Sequence, residues 1–407
     1  MISIAIPLAP LVPVVMGLSA QSPETAGREP RTDERPMLAW AWPTRAWPTS
    51  SPKDEAIDGT VLEAIDAEIR DGRYRYVDSM LVIRHGRIVF ERAYEQDYTA
   101  ASAGRDLTPH QYNYFHPDWH PFHQGTKLHT MQSVTKSVTS TLIGIAIHRG
   151  EIEGTGVPAL SFFAEREFPD PDGRKARMTL EDILTMRAGF EWDEWSTSYE
   201  DPRNDCIALE AADDWIGFVL AKPMAADPGE VFVYNSGATH LLSGVVAKAT
   251  GKTIDRYAEE HLFGPLGIKD YHWKRTPSGL PDTEGGLYLK PRDLAKIGLL
   301  FLRDGVWEET RLLPEGWVER SVTPWVEDIR PDNGRDDSGY GYKWWILDDG
   351  RGESPKVFAA MGFGGQFLFV APELDLIGVF TGWNIYGGAP SLPALFQSRI
   401  VPAAGAG

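Results

Sequence analysis

The sequence predicts an α/β (α+β) fold: a central antiparallel sheet flanked by helices and assembled from both ends of the chain, with an all-α region inserted between them. Three observations predict it. Strand-like runs occur near residue 80 and again after residue 340, and the stretch between them carries helical periodicities separated by Gly- and Pro-containing turns. A chain of 407 residues that is 42% hydrophobic also has ample apolar surface for one large core. The expected folded module is 56–404, with 56–150 and 336–404 as its α/β part and 151–335 as the all-α insertion.

The elements follow in chain order. Residues 1–20 are apolar and end in Gly17-Leu18-Ser19-Ala20, which suits a signal-peptidase site and export to the periplasm or medium. Two features oppose that reading. No Lys or Arg precedes the run, and Pro7, Pro10 and Pro13 interrupt it. The prolines also make a poor membrane span, because each costs about 3 kcal/mol inside a helix. The mature chain is therefore expected to have no membrane-spanning segment, and to be cytoplasmic if the apolar run is not a signal. Residues 21–55, rich in Pro, Ser, Arg and Glu, read as a disordered lead-in.

Ile57, Val61, Ile65 and Ile69 recur every four residues and mark an amphipathic helix. Runs 80–83 and 88–90 flank His85-Gly86 as a hairpin, with Gly86 supplying a positive φ. Residues 99–130 are irregular, crowded with aromatics, prolines and histidines. From Ser133 to about His148 the apolar residues Val134, Val138, Leu142, Ile143 and Ile145 with few charges predict a buried helix. Stretches 181–186, 211–221, 240–249, 253–262 and 291–302 look helical, with no strand pattern between them. Strands return at 342–346, 366–370 and 376–380, before a closing helix at about 392–400.

Composition excludes several functions. Forty basic against fifty-eight acidic side chains give a net charge of −18, which repels a phosphate backbone and argues against nucleic acid as a partner. Cys206 is the only cysteine, so an intrachain disulfide and a thiolate metal cluster are both impossible. Its neighbours Asp201 and Asp205 would raise its pKa, which disfavours it as a nucleophile. The chain lacks G-x-S-x-G, H-E-x-x-H and a Walker A loop.

Chemistry concentrates at Ser133-Val134-Thr135-Lys136, where the i,i+3 spacing puts both polar side chains on one helical face. A serine at a helix N-terminus has unpaired N–H groups beside it that can stabilise an oxyanion. Desolvation of a lysine one turn deeper is expected to lower its pKa towards the neutral amine that can accept the serine proton. The bland alternative is a capping serine followed by a lysine that reaches for solvent. Tyr234-Asn235-Ser236-Gly237 offers a tyrosine that could shuttle a proton beside such a lysine, or merely a half-buried loop tyrosine. Ala359 to Gln366 is a glycine-rich stretch before a strand, where one N–H could complete an oxyanion hole with that of Ser133.

Six motifs in order carry a resemblance: Gln132-Ser-Val-Thr-Lys-Ser-Val-Thr139, Thr179-Leu-Glu-Asp-Ile-Leu-Thr-Met186, Pro228-Gly-Glu-Val-Phe-Val-Tyr-Asn-Ser236, Phe263-Gly-Pro-Leu-Gly267, Asp293-Leu-Ala-Lys-Ile-Gly298 and Gly362-Phe-Gly-Gly-Gln366. Together, over about residues 75–400, they resemble the class C β-lactamase-related serine hydrolases, which include family VIII carboxylesterases and 6-aminohexanoate-dimer hydrolase. The resemblance implies a β-lactamase/transpeptidase-like fold and a catalytic trio of Ser133, Lys136 and Tyr234. It further implies oxyanion N–H groups from Ser133 and from Phe363, or Gly364 if the register shifts, with no metal or organic cofactor.

Two departures are informative. The usual Tyr-x-Asn ends in Ser236, a substrate-side position that trades an amide for a hydroxyl, and the usual Lys-Thr-Gly or His-x-Gly reads Ala360-Met361-Gly362. The missing cation would hold a substrate carboxylate, so a neutral ester or small amide is the expected small-molecule partner. A β-lactamase or D-amino-peptidase of the same fold, and a non-catalytic peptide-binding relative, are the alternatives. His116, His120, His123 and His129 have spacings that could ligate zinc, although a gate or packing role fits their prolines better. Trp192 and Trp195 could line a cleft or pack in the core. Oligomeric state has no signature here.

Overall fold

Near-continuous apolar runs give each main strand two inward faces, and the fold is built by covering both. In a computed structural model, residues 42–108, 114–116, 119–327, 329, 339–347, 355–385 and 387–405 are described. The principal elements are α1 (Gly59–Arg70), β1 (Val77–Arg84), β2 (Arg87–Ala93), α2 (Val134–His148), α3 (Ser236–Thr250), α4 (Pro291–Leu302), β3 (Gly339–Tyr340), β4 (Trp345–Leu347), β5 (Val357–Gly362), β6 (Gln366–Ala371) and β7 (Leu376–Gly382). The strands form one seven-stranded sheet in the order β2-β1-β7-β6-β5-β4-β3, with antiparallel neighbours throughout. The hairpin turns at His85 (φ 49°) and Gly86 (φ 70°), and β1 joins the returning C-terminal strand in the register Met80↔Phe380.

Alternation sorts the core. Leu81, Ile83, Leu368, Val370, Ile377 and Val379 face α2 and α4, in a cluster that continues into the helical region. Met80, Val82, Phe369 and Phe380 face α1 and the C-terminal helical segment from Leu392. At about 25 cal/mol per Å² of apolar surface removed from water, covering both faces supplies the main drive for this architecture.

Several expectations are corrected. Residues 42–55 are not a disordered lead-in: Trp47 is buried, its Nε1 donates to the Arg292 carbonyl at 2.9 Å, and Thr49 pairs with Ile88 along the β2 edge. Residues 1–41, with the apolar run at 1–20, lie outside the described residues. Short strands do occur beyond those expected: His272–Trp273, Leu287–Leu289, Val306–Trp307 and Thr310–Arg311 lie within the helical region and His129–Thr130, which pairs with Leu287–Leu289, in the stretch read as irregular, each too brief for a periodicity to register. The strand expected at 342–346 begins only at Trp345, because Lys343 adopts φ 63° and breaks the extended run. The glycine-rich stretch at 359–366 is largely strand β5 and its turn. No helix of the described residues is long and apolar enough to cross a membrane.

Candidate active site

Ser133 and Lys136 stand at the mouth of α2, where the sheet meets the helical region. Gln132 at φ 46° bends the chain into the helix, an uncommon conformation for a residue with a side chain. Ser133 is the N-cap, yet its side chain makes no capping bond. Its Oγ instead accepts a hydrogen bond from Lys136 Nζ at 2.9 Å. Lys136 is 1% exposed, so it does not reach for solvent. Its Nζ also donates to the Glu284 carbonyl at 2.7 Å and to Glu284 Oε2 at 3.3 Å.

This environment overturns one expectation. Burial pushes the Lys136 ammonium towards neutrality, but its acidic partners Tyr234, in its ionised form, Glu284 and Glu194 act the other way, and its pKa is raised above the ordinary lysine range. The direction is opposite to the one expected from burial alone and favours the ammonium, which the Glu284 carboxylate contacts at 3.3 Å.

Tyr234 lies in the extended segment leading into α3 and is buried, with Lys136 Nζ 5.2 Å from its ring centroid. Burial raises its pKa, against the pull of Lys136 and of a hydrogen bond with Ser133. Trp195 stacks on it (5.1 Å, 16°), and Trp345 packs at 5.8 Å. Trp195 thus lines the site and is half-exposed, whereas Trp192 is core and uses its Nε1 on Glu194 at 2.6 Å.

Ser236 is brought to the same corner but is not open to a substrate in this state. Its hydroxyl donates to Glu194 Oε1 at 2.9 Å and its N–H to Oε2 at 2.8 Å. Asn235 does not replace the missing amide, because its Oδ1 caps α3 by accepting from Ala238 N–H at 2.6 Å.

Phe363 follows β5 directly, and the approach of that strand explains its location. A Cβ on Gly362 would lie 2.5 Å from the Met131 carbonyl oxygen and 3.2 Å from Gln132 Cβ, so only glycine lets the strand end lie flush against the residues before Ser133. Gln366 fixes the turn by donating from Nε2 to the Phe363 and Gly382 carbonyls at 3.1 and 2.6 Å. Gly364 has φ 82°, and its carbonyl accepts from Asn384 N–H at 2.7 Å. The Phe363 ring packs against Tyr114 and Tyr199, forming a second aromatic wall opposite Trp195.

The histidine-rich stretch does not act as a unit. Buried His129 bridges Asp78 (Nε2–Oδ2, 2.9 Å) and the Thr130 carbonyl (2.9 Å), and His123 stacks on His272. Cys206 is buried, and burial with nearby Glu284, Glu194 and Glu210 raises its thiol pKa well above the ordinary range, so it is no nucleophile.

Three buried residues in the site carry no mark in the sequence motifs. Glu284 sits in Asp282-Thr-Glu-Gly-Gly286, which reads as a polar turn, and Glu194 lies in an acidic loop. Lys343 is 1% exposed and donates to Met186 Sδ at 3.0 Å, close enough to Lys136 for the two charges to repel. A charged residue just before paired glycines is the one signal that could have raised Glu284.

Comparison with known proteins identifies the family. The Beta-lactamase family model matches residues 65–383. The 6-aminohexanoate-dimer hydrolase of Paenarthrobacter ureafaciens is 24% identical over 388 residues, 88% of this chain and 89% of that protein. Among solved structures, a family VIII carboxylesterase superposes with a TM-score of 0.62 at 17% identity, covering 88% of this chain and 98% of its own. An octameric penicillin-binding protein homologue from Pyrococcus abyssi gives 0.59 at 17% identity, covering 84% and 79%. These structural likenesses concern the fold.

Proposed function

The chain belongs to the beta-lactamase family and is a hydrolase, and on that premise we propose that it cleaves neutral esters or small amides through an acyl-enzyme on Ser133. The carrying observation is the 2.9 Å contact between Lys136 Nζ and Ser133 Oγ inside a buried, aromatic-walled site. Ser133 attacks the substrate carbonyl, Lys136 and Tyr234 carry its proton to the leaving group, and water releases the acid. The N–H groups of Ser133 and Phe363, or Gly364, hold the oxyanion. No metal or organic cofactor has a role in this scheme.

The substrate class is supported from two sides. Ala360, where the class C-related pattern has a cation, is fully buried and apolar, so a substrate carboxylate gains nothing there. The names of the relative and of the structural neighbour denote an amide-type dimer hydrolase and a carboxylesterase, both compatible with this class. A fluorophosphonate probe should label the wild-type chain and not Ser133→Ala; equal labelling sinks the assignment. Turnover of a p-nitrophenyl ester should exceed that of nitrocefin by about 100-fold or more, and comparable turnover returns the β-lactamase reading.

A further inference from the structure

We propose that Glu284 completes a Ser133–Lys136–Glu284 proton relay, taking from Lys136 a proton as Lys136 takes one from Ser133. The inference rests on the reading of Ser133 as nucleophile. Its basis is that one ammonium contacts both groups: Lys136 Nζ lies 2.9 Å from Ser133 Oγ and 3.3 Å from Glu284 Oε2. Both Lys136 and Glu284 are buried, at 1% and 6% exposure. The Glu284 carbonyl holds the same ammonium at 2.7 Å, so the lysine cannot swing away as its charge changes.

An ammonium beside Ser133 cannot accept a proton until it has given one up. Glu284 is the carboxylate in contact with it. In acylation, the Oγ–H proton moves to Nζ while an Nζ–H proton moves to Oε2, and the Oγ–C bond forms as the carbonyl electron pair passes to oxygen. On collapse the C–O or C–N bond to the leaving group breaks. The leaving group takes its proton from the Tyr234 hydroxyl, which is refilled from Lys136, and Lys136 recovers its own from Glu284. In deacylation water gives a proton along the same line and Ser133 regains its own.

The surroundings of Glu284 suit a group that gains and loses a proton without leaving a bare charge. Glu210 and Cys206 face it from the helix Asp205–Glu210, and the donor atoms of the three lie within 4.8 Å of one another. Burial, with the charges of Glu284 and Asp282 nearby, holds the Glu210 carboxyl well above the usual carboxylate range. Asp282 fixes the loop by accepting from the Glu284 and Gly285 N–H groups at 2.9 and 3.1 Å, and burial beside Glu284 raises it to about 7. Tyr114, Glu194 and Tyr234 feel the charge of Glu284 from the surrounding loops, and Lys274 acts on Glu210 and Asp282 with the opposite sign.

The test uses the full chain, a p-nitrophenyl ester and Glu284→Gln, with kcat and KM followed over pH 5–10. The expected result is a fall in kcat of about 100-fold at pH 7, with KM changed less than about threefold. The acidic limb of kcat/KM should move upward by a pH unit or more, since the proton must then leave the lysine with no carboxylate to take it. Glu284→Asp should restore the wild-type position of that limb at a reduced rate. An E284Q profile within threefold of wild type across the range overturns the relay.

If E284Q fails to fold, fluorophosphonate labelling of the wild-type chain decides alone. A rate that levels off by about pH 8 supports a carboxylate as final acceptor, and one still climbing at pH 10 shows lysine acting as its own base and overturns it. Failure of the relay leaves Ser133→Ala inert, whereas failure of the acyl-enzyme reading leaves that variant active.

Discussion

Lys136 and Lys343 are each 1% exposed and close enough to repel, yet their environments drive them in opposite directions. Burial alone would push both towards the neutral amine. Lys136 meets the carbonyl and carboxylate of Glu284, with the acidic groups of Tyr234 and Glu194 nearby, and its pKa rises. Lys343 meets a thioether, Met186 Sδ at 3.0 Å; burial and the Lys136 charge drive its pKa well below the usual lysine value, with only Glu194 opposing. Buried Lys175 shows a third solution, donating to the Pro169 and Leu220 carbonyls at 2.6 and 2.7 Å. What a buried lysine does is set by its partner, not by its depth.

The largest effect should come from breaking the charged pair. Lys136→Met should reduce kcat by about 1000-fold or more, the range expected when an acid–base group is lost. It should also cost about 3–5 kcal/mol, because Glu284 is left buried beside Glu210 and Asp282 without its cation. The double variant K136M/E284Q should regain most of that stability in urea titrations and none of the activity. If K136M alone unfolds at the wild-type urea midpoint, the pair does not hold the loop at 282–286 in the way described.

The same contrast explains what could be read from the chain. Ser133 and Lys136 were visible because their relation is local, one turn of a helix whose apolar residues announce it, and the helix expected at 291–302 has those same bounds. The hairpin and the last two strands were legible as short runs rich in β-branched and aromatic residues, the hairpin also through a turn glycine. Strand β5 was not, because Val357-Phe-Ala-Ala-Met-Gly362 carries a single β-branched residue and two alanines and ends in glycine, a weak strand composition. Glu284 approaches Lys136 across 148 positions of sequence, and nothing local to either residue encodes that contact. The error about the charge of Lys136 follows directly: burial could be inferred from the helix, and the carboxylate could not.

Lys343 should give the intermediate effect and the opposite sign. Its folded-state pKa lies below the unfolded value, so between the two the unfolded chain binds more protons and stability rises with pH. Lys343→Met removes that slope while keeping length and the packing against Met186. The variant should be more stable than wild type by about 1–3 kcal/mol at pH 7, the gain shrinking as pH approaches 10. Melting curves from pH 6 to 9.5 check this, and a gain that grows with pH contradicts the neutral-amine description.

The smallest effect concerns the wall rather than the charges. Trp195 covers Tyr234 at 5.1 Å in a nearly parallel stack, packs beside Trp345 and Phe232, and is 37% exposed. Trp195→Ala should forfeit about 1 kcal/mol of aromatic contact, raising KM about fivefold with kcat less affected. Because the Lys136–Glu284 pair is untouched by this change, the acidic limb of the pH profile should stay where it is in the wild-type chain. A limb that moved with W195A would mean that shielding by the aromatic wall, and not the carboxylate, sets the proton balance of Lys136, which would dissolve the distinction between the two lysines.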